Sequence, residues 1–338
     1  MSDPKQMLLD TIFGRWRSQI LYVGVSLGIF EELTQTPLSS KTVAEKLKLD
    51  PAMTYRLMRA LACLGFLSEA EKREFSLTQT GKFLQAGHPE SFRGMVLLEE
   101  GPEHYAVWKH LPDIVREGGQ EGFSREFGKP IFLHAAENEG YGKVFNEAMS
   151  SYSASETAMV LNALKDETFR GMKLLCDVAG GHGHLLCSIL EKHPNLNGTV
   201  FDLASTFEDK GQLWAGKMGV EDRCTYAPGD MFESVPAADG YFMKHILHDW
   251  NDDACVRILS NIAKNAKTPA RLFIAEFVVS GPQAPHFAKL FDVHMMCATG
   301  GRERTEAEYS ALFNQSGWKH VNTYTSFGPI SVIEAVKN

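Results

Sequence analysis

Between residues 6 and 35, apolar side chains recur every three or four positions. Leu8, Leu9, Ile12, Phe13 and Trp16 come first, then Ile20, Val23, Leu27 and Phe30. This spacing predicts amphipathic helix. No earlier element exists for it to pack on, so it is expected to be a dimer-forming arm. Residues 39–84 carry the pattern of a winged helix-turn-helix. Ser39 or Ser40 caps one helix, and Asp50-Pro51 opens the next, whose apolar face is Tyr55, Leu57, Met58, Leu61 and Leu64. A short hairpin follows, with Glu69–Glu74 as the wing. Residues 88–165 are expected to be mostly helical. Gly118–Gly122 is expected to be a loop, and Phe123, Phe127, Phe132 and Tyr141 to lie in an irregular stretch.

Beyond residue 166 the pattern changes. Short apolar runs alternate with helical periodicity, predicting strands at 173–178, 198–203, 223–227, 240–246 and 271–279. Helices are predicted at 183–193, 204–218, 252–266 and 304–316. The runs 318–327 and 330–337 are separated only by Gly328-Pro329, which requires an antiparallel hairpin. The fold class is therefore α/β. A Rossmann-like, doubly wound, mainly parallel sheet with a reversed C-terminal hairpin follows an all-helical and winged-helix domain. The expected domains are 1–165 and 166–338.

The formal net charge is −8, which argues against a sequence-independent nucleic-acid binder. A DNA-reading helix at 53–59 would offer only Arg56 and Arg59 as basic groups, so the winged helix is expected to be a scaffold. No apolar run is long enough to span a membrane. The six scattered cysteines form no CxxC and suit the reduced core of a cytoplasmic protein.

Candidate chemistry collects at the carboxyl ends of the strands, where ligands bind in such sheets. Leu174–Val178 ends in Asp177 and runs into Ala179-Gly180-Gly181-His182-Gly183. The free N–H groups of such a turn and of the helix after it face a ligand. Asp202 ends the next strand. Gly229-Asp230-Met231-Phe232 and Lys244-His245-Ile246-Leu247-His248-Asp249-Trp250 follow, then Glu276 and Gly300-Gly301-Arg302-Glu303-Arg304-Thr305. A dinucleotide fingerprint needs a third glycine where Leu185 or Leu186 stands. Asp177, Asp202 and Asp230 would repel a pyrophosphate but suit a cationic nucleoside such as S-adenosylmethionine. His245 and His248 are spaced like a metal-binding pair, but no third ligand is evident, and no metal is expected.

These five motifs, in this order, resemble the S-adenosylmethionine-dependent O-methyltransferases related to plant caffeate and isoflavone enzymes and bacterial polyketide and phenazine enzymes. The resemblance covers nearly the whole chain. It implies S-adenosylmethionine as cofactor, held by Gly180, Gly181, Asp202, Gly229, Asp230, Met231, Phe232, Lys244, Asp249 and Trp250. It implies His248 as general base, with Glu276 and Glu303 orienting its ring. It places His294 and Met295 in the acceptor pocket, which Phe132 and Met149 are expected to join. A homodimer is implied as well. The family usually has glycine where Ala179 stands, and the turn is expected to survive the change. The pair His182 and His184 has no evident role in the sequence.

The implied chemistry is consistent. In-line methyl transfer needs a positioned acceptor, and a phenol becomes a better nucleophile as a base takes its proton. The expected reaction is O-methylation of a small aromatic or enolic hydroxyl. The alternatives are N- or C-methylation, or a relative that binds the cofactor without methylating.

Overall fold

The computed structural model describes residues 3–338, the side chains of Ala154 and Asp166 excepted. Two compact units divide the chain: Met1–Trp108 with Phe132–Ala154, and Lys109–Ile131 with Ser155–Asn338.

The first unit opens with helices Pro4–Ile12, Gly14–Ser26 and Ile29–Glu32. The apolar side chains of the first are not buried, Ile12 being 64% exposed, and Trp16 on the second is 57% exposed. The winged helix follows as expected. Ser39 accepts from Thr42 N–H at 3.1 Å to cap helix Ser40–Leu47, and Asp50 accepts from Met53 N–H at 2.9 Å to cap Pro51–Cys63. Strands β1 (Leu38–Ser39), β2 (Leu67–Ala70) and β3 (Glu74–Leu77) form a small antiparallel sheet in the order β1-β3-β2. Val25, Ile29, Phe30, Met58, Leu61 and Phe75 fill its core.

The second unit is built on a seven-stranded sheet. Its strands are β4 (Leu174–Val178), β5 (Asn197–Asp202), β6 (Cys224–Pro228), β7 (Gly240–Lys244), β8 (Arg271–Glu276), β9 (Trp318–Thr325) and β10 (Ser331–Lys337). The order is β6-β5-β4-β7-β8-β10-β9. β4 to β8 pair in parallel. β10 runs antiparallel to both β8 and β9, so the Gly328-Pro329 hairpin is present. Helix His184–Lys192 covers one face through Leu185, Leu186, Ile189 and Leu190. Helices Asp252–Asn265 and Glu306–Gln315 cover the other through Ile258, Leu259, Ile262, Leu312 and Phe313. Chain direction switches sides between β4 and β7, which opens a crevice at their carboxyl ends.

Two expected elements differ. The continuous helix at 204–218 is instead two short 3-10 turns, Ala204–Phe207 and Lys210–Gln212, then a single turn, Trp214–Lys217. Asp209 accepts from Gly211 N–H at 2.9 Å, a local bond that competes with helix. The stretch expected to be irregular holds helices Gly122–Phe127 and Ile131–Glu137, separated by Gly128 at φ 72°. A left-handed glycine cap ends one helix and lets the next begin. Among the described residues, no helix is long and apolar enough to cross a membrane.

The glycine turn forms with Ala179 at φ 55°. Its N–H reaches Phe201 O at 2.8 Å, and Gly183 N–H closes the turn on Gly180 O at 3.0 Å. Left-handed backbone costs a non-glycine residue about 1–2 kcal/mol. Glycine there would lose about 0.4–1 kcal/mol through greater freedom of the unfolded chain. Ala179→Gly is therefore expected to leave stability unchanged or to raise it by up to about 1.6 kcal/mol. Thermal unfolding checks this; a clear fall in Tm would contradict it.

Candidate active site

Residues from the carboxyl ends of β4, β5, β6, β7 and β8 meet in the second unit. At β4, Asp177 is buried, and burial raises its pKa to about 7, with Lys244 opposing that rise. A Cβ at Gly180 would lie 2.6 Å from the Asp177 carboxyl carbon, so the turn can fold over this acid only as glycine. Asp202 Oδ2 accepts from Gly181 N–H at 2.8 Å. Its Oδ1 accepts from Leu203 N–H at 2.7 Å and Thr206 Oγ1 at 2.9 Å. The backbone carbonyl of Asp202 accepts from Gly229 N–H at 2.9 Å, tying the second motif to the third.

Asp230 Oδ1 accepts from Phe232 N–H at 2.8 Å. Asn261 and Arg257 donate to the carbonyls of Met231 and Phe232. The Phe232 ring stands edge-on to Trp250 with centroids 4.8 Å apart. A Cβ at Gly229 would collide with the Phe201 ring. The structure thus brings Gly180, Gly181, Asp202, Gly229, Asp230, Met231, Phe232 and Trp250 to one edge of the sheet.

His182 and His184 also find partners. The His182 carbonyl accepts from Trp214 N–H and Tyr226 Oη, both at 3.1 Å. His184 Nδ1 lies 3.0 Å from Thr157 Oγ1, and its ring meets Trp214 edge-on. Burial lowers the pKa of both rings. They brace the glycine turn against its neighbours.

His248 follows β7 and is buried. Its Nδ1 lies 2.7 Å from Glu303 Oε1 and 3.4 Å from Glu276 Oε2, while Nε2 is 3.8 Å from Asp249 Oδ1. Glu276 has no exposed surface. Its Oε1 accepts from Ile246 N–H at 3.1 Å and Leu247 N–H at 3.0 Å. Burial disfavours the charged ring of His248, but Glu276, Glu303 and Asp249 overcome this and push its pKa up to about 10. Burial opposes ionisation of Glu276, yet His248 and His245 hold its pKa below the ordinary value. Glu303 is raised by burial. Burial likewise raises Asp249, to about 6.

Glu156 was not read from the sequence, and Arg304 was read only as part of its motif. Glu156, on helix Glu139–Ala163, is buried and accepts from Lys244 Nζ at 2.9 Å; its other oxygen lies 3.0 Å from His245 Nε2. His245 Nδ1 is 3.3 Å from Glu276 Oε2. His245, His248 and Glu276 thus form a three-group cluster whose third member was not evident in the sequence, and it is built as a ladder of ion pairs. Arg304 is fully buried and donates to the carbonyls of Leu247 at 2.8 Å and Trp250 at 2.7 Å, and to Asp252 Oδ1. It staples the segment that carries His248. Periodicity reports neither group, since both act through contacts remote in sequence.

The expected acceptor residues divide between the units. His294 and Met295 are buried on helix Ala288–Ala298 of the second unit. Phe132 and Met149 belong to the first unit and are exposed; the Phe132 ring meets Phe145 edge-on.

With this geometry in hand, similarity to known proteins is specific. Residues 108–319 match the O-methyltransferase domain, and residues 9–87 match the O-methyltransferase dimerisation domain. The chain is 32% identical over 330 residues to phenazine O-methyltransferase PhzM of Lysobacter antibioticus, covering 97% of this chain and 95% of that one. The crystal structure of LaPhzM superposes with a TM-score of 0.92 at 31% identity, covering 99% of this chain and 100% of that one. Human N-acetylserotonin methyltransferase in complex with SAM superposes with a TM-score of 0.87 at 26% identity, covering 100% of this chain and 99% of that one. The chain is a methyltransferase and belongs to the O-methyltransferase family.

Proposed function

We propose that this enzyme transfers a methyl group from S-adenosylmethionine to a hydroxyl of a small aromatic or enolic metabolite, with His248 as general base. The observation that carries the reading is the 2.7 Å pairing of His248 Nδ1 with Glu303, beside Glu276. With Nδ1 committed to a carboxylate, Nε2 is the nitrogen that takes up the acceptor's proton.

The residues fit the cofactor. Glycine at 180 and 229 lets the backbone pass close over Asp177 and Phe201, and three acids, Asp177, Asp202 and Asp230, stand at the carboxyl ends of neighbouring strands. That donor set suits a cationic, phosphate-free nucleoside. When bound, S-adenosylmethionine supplies an electrophilic methyl on a sulfonium. Gly180 and Gly181 shape the turn under its methionine end. Asp202 accepts from the ribose hydroxyls. Asp230, Met231 and Phe232 hold the adenine, and Lys244, Asp249 and Trp250 complete the wall. His294 and Met295 bind the acceptor. The six free cysteines suit a cytoplasmic enzyme.

The raised pKa of His248 makes its resting ring an imidazolium near neutral pH. A phenol has a pKa near 10, so ring and acceptor are closely matched. One proton must leave the pair before transfer, and the proton that remains is shared between Nε2 and the acceptor oxygen. The rate is therefore expected to rise with pH until the pair's pKa is passed.

Three outcomes test this reading. Asp202→Ala is expected to weaken S-adenosylmethionine by about 1.5–3 kcal/mol, the range for hydrogen bonds to a charged group. Calorimetry checks it, and unchanged affinity would contradict the assignment.

A phenol library scored for a gain of one methylene in product mass identifies an acceptor. In single turnover with that acceptor, His248→Gln is expected to lose about 10²–10⁴ in rate with cofactor affinity nearly intact. Transfer within about threefold of wild type at pH 7 would remove His248 as the base, since losing a general base costs far more.

The exposed apolar face of residues 7–16 and the groove lined by Trp16, Gln19, Ile20, Val23 and Leu57 favour a homodimer built on residues 1–85. Light scattering is expected to give twice the monomer mass, and a monomer at micromolar concentration would sink the idea.

A further inference from the structure

We propose that His245, clamped by Glu156, is a positioning residue for the base: its ring bridges the carboxylates of Glu156 and Glu276 and fixes the Glu276 oxygen against which His248 is held. This rests on the reading of His248 as base. It assigns a role to two residues that lie outside the triad.

Both ring nitrogens of His245 face carboxylates. Nε2 is 3.0 Å from Glu156 Oε1, and Nδ1 is 3.3 Å from Glu276 Oε2. A neutral imidazole has one donor and an imidazolium has two. Facing two acceptor-only groups, the ring satisfies both only as imidazolium. Nδ1 and Glu276 Oε2 are buried and lie at ion-pair distance without hydrogen-bond alignment. They are each other's complement, and a small ring rotation aligns them.

Glu276 Oε2 is also 3.4 Å from His248 Nδ1, and the two imidazole centroids are 4.8 Å apart. The other Glu276 oxygen is taken by the two backbone N–H groups. One carboxylate oxygen therefore serves two rings.

The backbone is consistent with this placement. His245 sits at φ 52°, the left-handed region that His and Asn visit more often than most side chains. Here its N–H donates to Ala275 O at 3.1 Å, and Phe277 packs against the ring at 4.6 Å. The turn aims the imidazole between Glu156 and Glu276.

The charged groups around the two rings come from every packed element. Glu156 lies on helix Glu139–Ala163. Lys244 and Asp249 flank the histidines, with Asp177 and His184 near Lys244. Glu276 ends β8, Glu303 lies in the loop after helix Ala288–Ala298, and Tyr309 and Arg304 stand near these two acids. Three acids draw a proton to His248, and repulsion between the two charged rings opposes it. Without the charge on His245, His248 holds its proton to higher pH. The Glu156–His245 pair thus sets the pH at which the base becomes available, as well as its orientation.

The test is nitrogen-detected NMR of histidine side chains in the full-length protein labelled with ¹⁵N-histidine, which needs no acceptor. Signals that disappear in His245→Asn and His248→Gln assign the two rings. In wild type, His245 is expected to show the doubly protonated pattern at pH 7, above the ordinary histidine pKa, because Glu156 and Glu276 hold the proton on its ring. Glu156→Gln, nearly isosteric, is expected to lower its titration by at least about one pH unit. Asn tolerates left-handed backbone, so His245→Asn is expected to stay folded and to move the His248 titration upward by about one unit. Should His245→Asn fail to fold, Glu156→Gln reads the same coupling. A neutral His245 in wild type at pH 7 would overturn the proposal. So would an unmoved His248 titration in folded His245→Asn, since packing alone leaves it in place. With an acceptor in hand, the acid limb of kcat/KM is expected to follow the same upward shift. Methyl transfer by His248→Gln would remove the base reading while leaving the protonation state of His245, read directly, intact.

Discussion

Glu276 is a carboxylate with no exposed surface at the end of a central strand. An isolated charge there would cost several kcal/mol. Two backbone N–H groups and two imidazoles surround it instead. The dependence runs both ways. The N–H groups are available because β7 ends at Lys244 and the chain turns through a left-handed His245. That turn sets its side chain between Glu276 and Glu156. The segment from Lys244 to Trp250 is therefore held from below by the acid it neutralises.

The same segment is held from above by a loop that has to come very close. A Cβ at Gly301 would collide with the His248 carbonyl, so only glycine lets the backbone pass there. That approach brings Glu303 within 2.7 Å of His248 and lets buried Arg304 reach the Leu247 and Trp250 carbonyls. Thr305 then opens the next helix with a full capping box against Glu308. Gly301 permits contact, Glu303 orients the ring, Arg304 locks the carbonyls and Thr305 anchors the loop. A short motif carries four physical tasks, which is why it was visible as a motif at all.

What the sequence made legible follows from local rules. Strand runs ending in Asp177 and Asp202, the glycine turn, the capped helices of the winged helix and the Gly328-Pro329 hairpin are all set by neighbours in the chain. The stretch 204–218 was not legible, because Asp209 satisfies its own backbone and breaks a helix that apolar spacing alone suggested. The two helices around Gly128 were hidden by glycines that read as loop but act as caps. Glu156 was invisible for a different reason. It is one polar residue on a long helix, and its meaning lies in Lys244 and His245, almost ninety positions away. His245 was noticed only as half of a metal-like pair, since its two carboxylate partners come from separate elements.

Charge balance around His248 bears on the acceptor. Glu156, Asp249, Glu276 and Glu303 face Lys244, His245 and His248 across a few ångströms of buried space. With both rings protonated the acids exceed the cations by one; loss of the His248 proton widens the gap. An acceptor that brings its own carboxylate close to this cluster would add to the excess, and burial amplifies the repulsion. A neutral hydroxyl adds nothing on arrival. With His248 as the proposed base, its negative charge would develop only as the proton moves to Nε2, where an imidazolium would form to meet it. On the proposed reading, the charge an acceptor carries on entry is therefore one term in how well this cluster receives it.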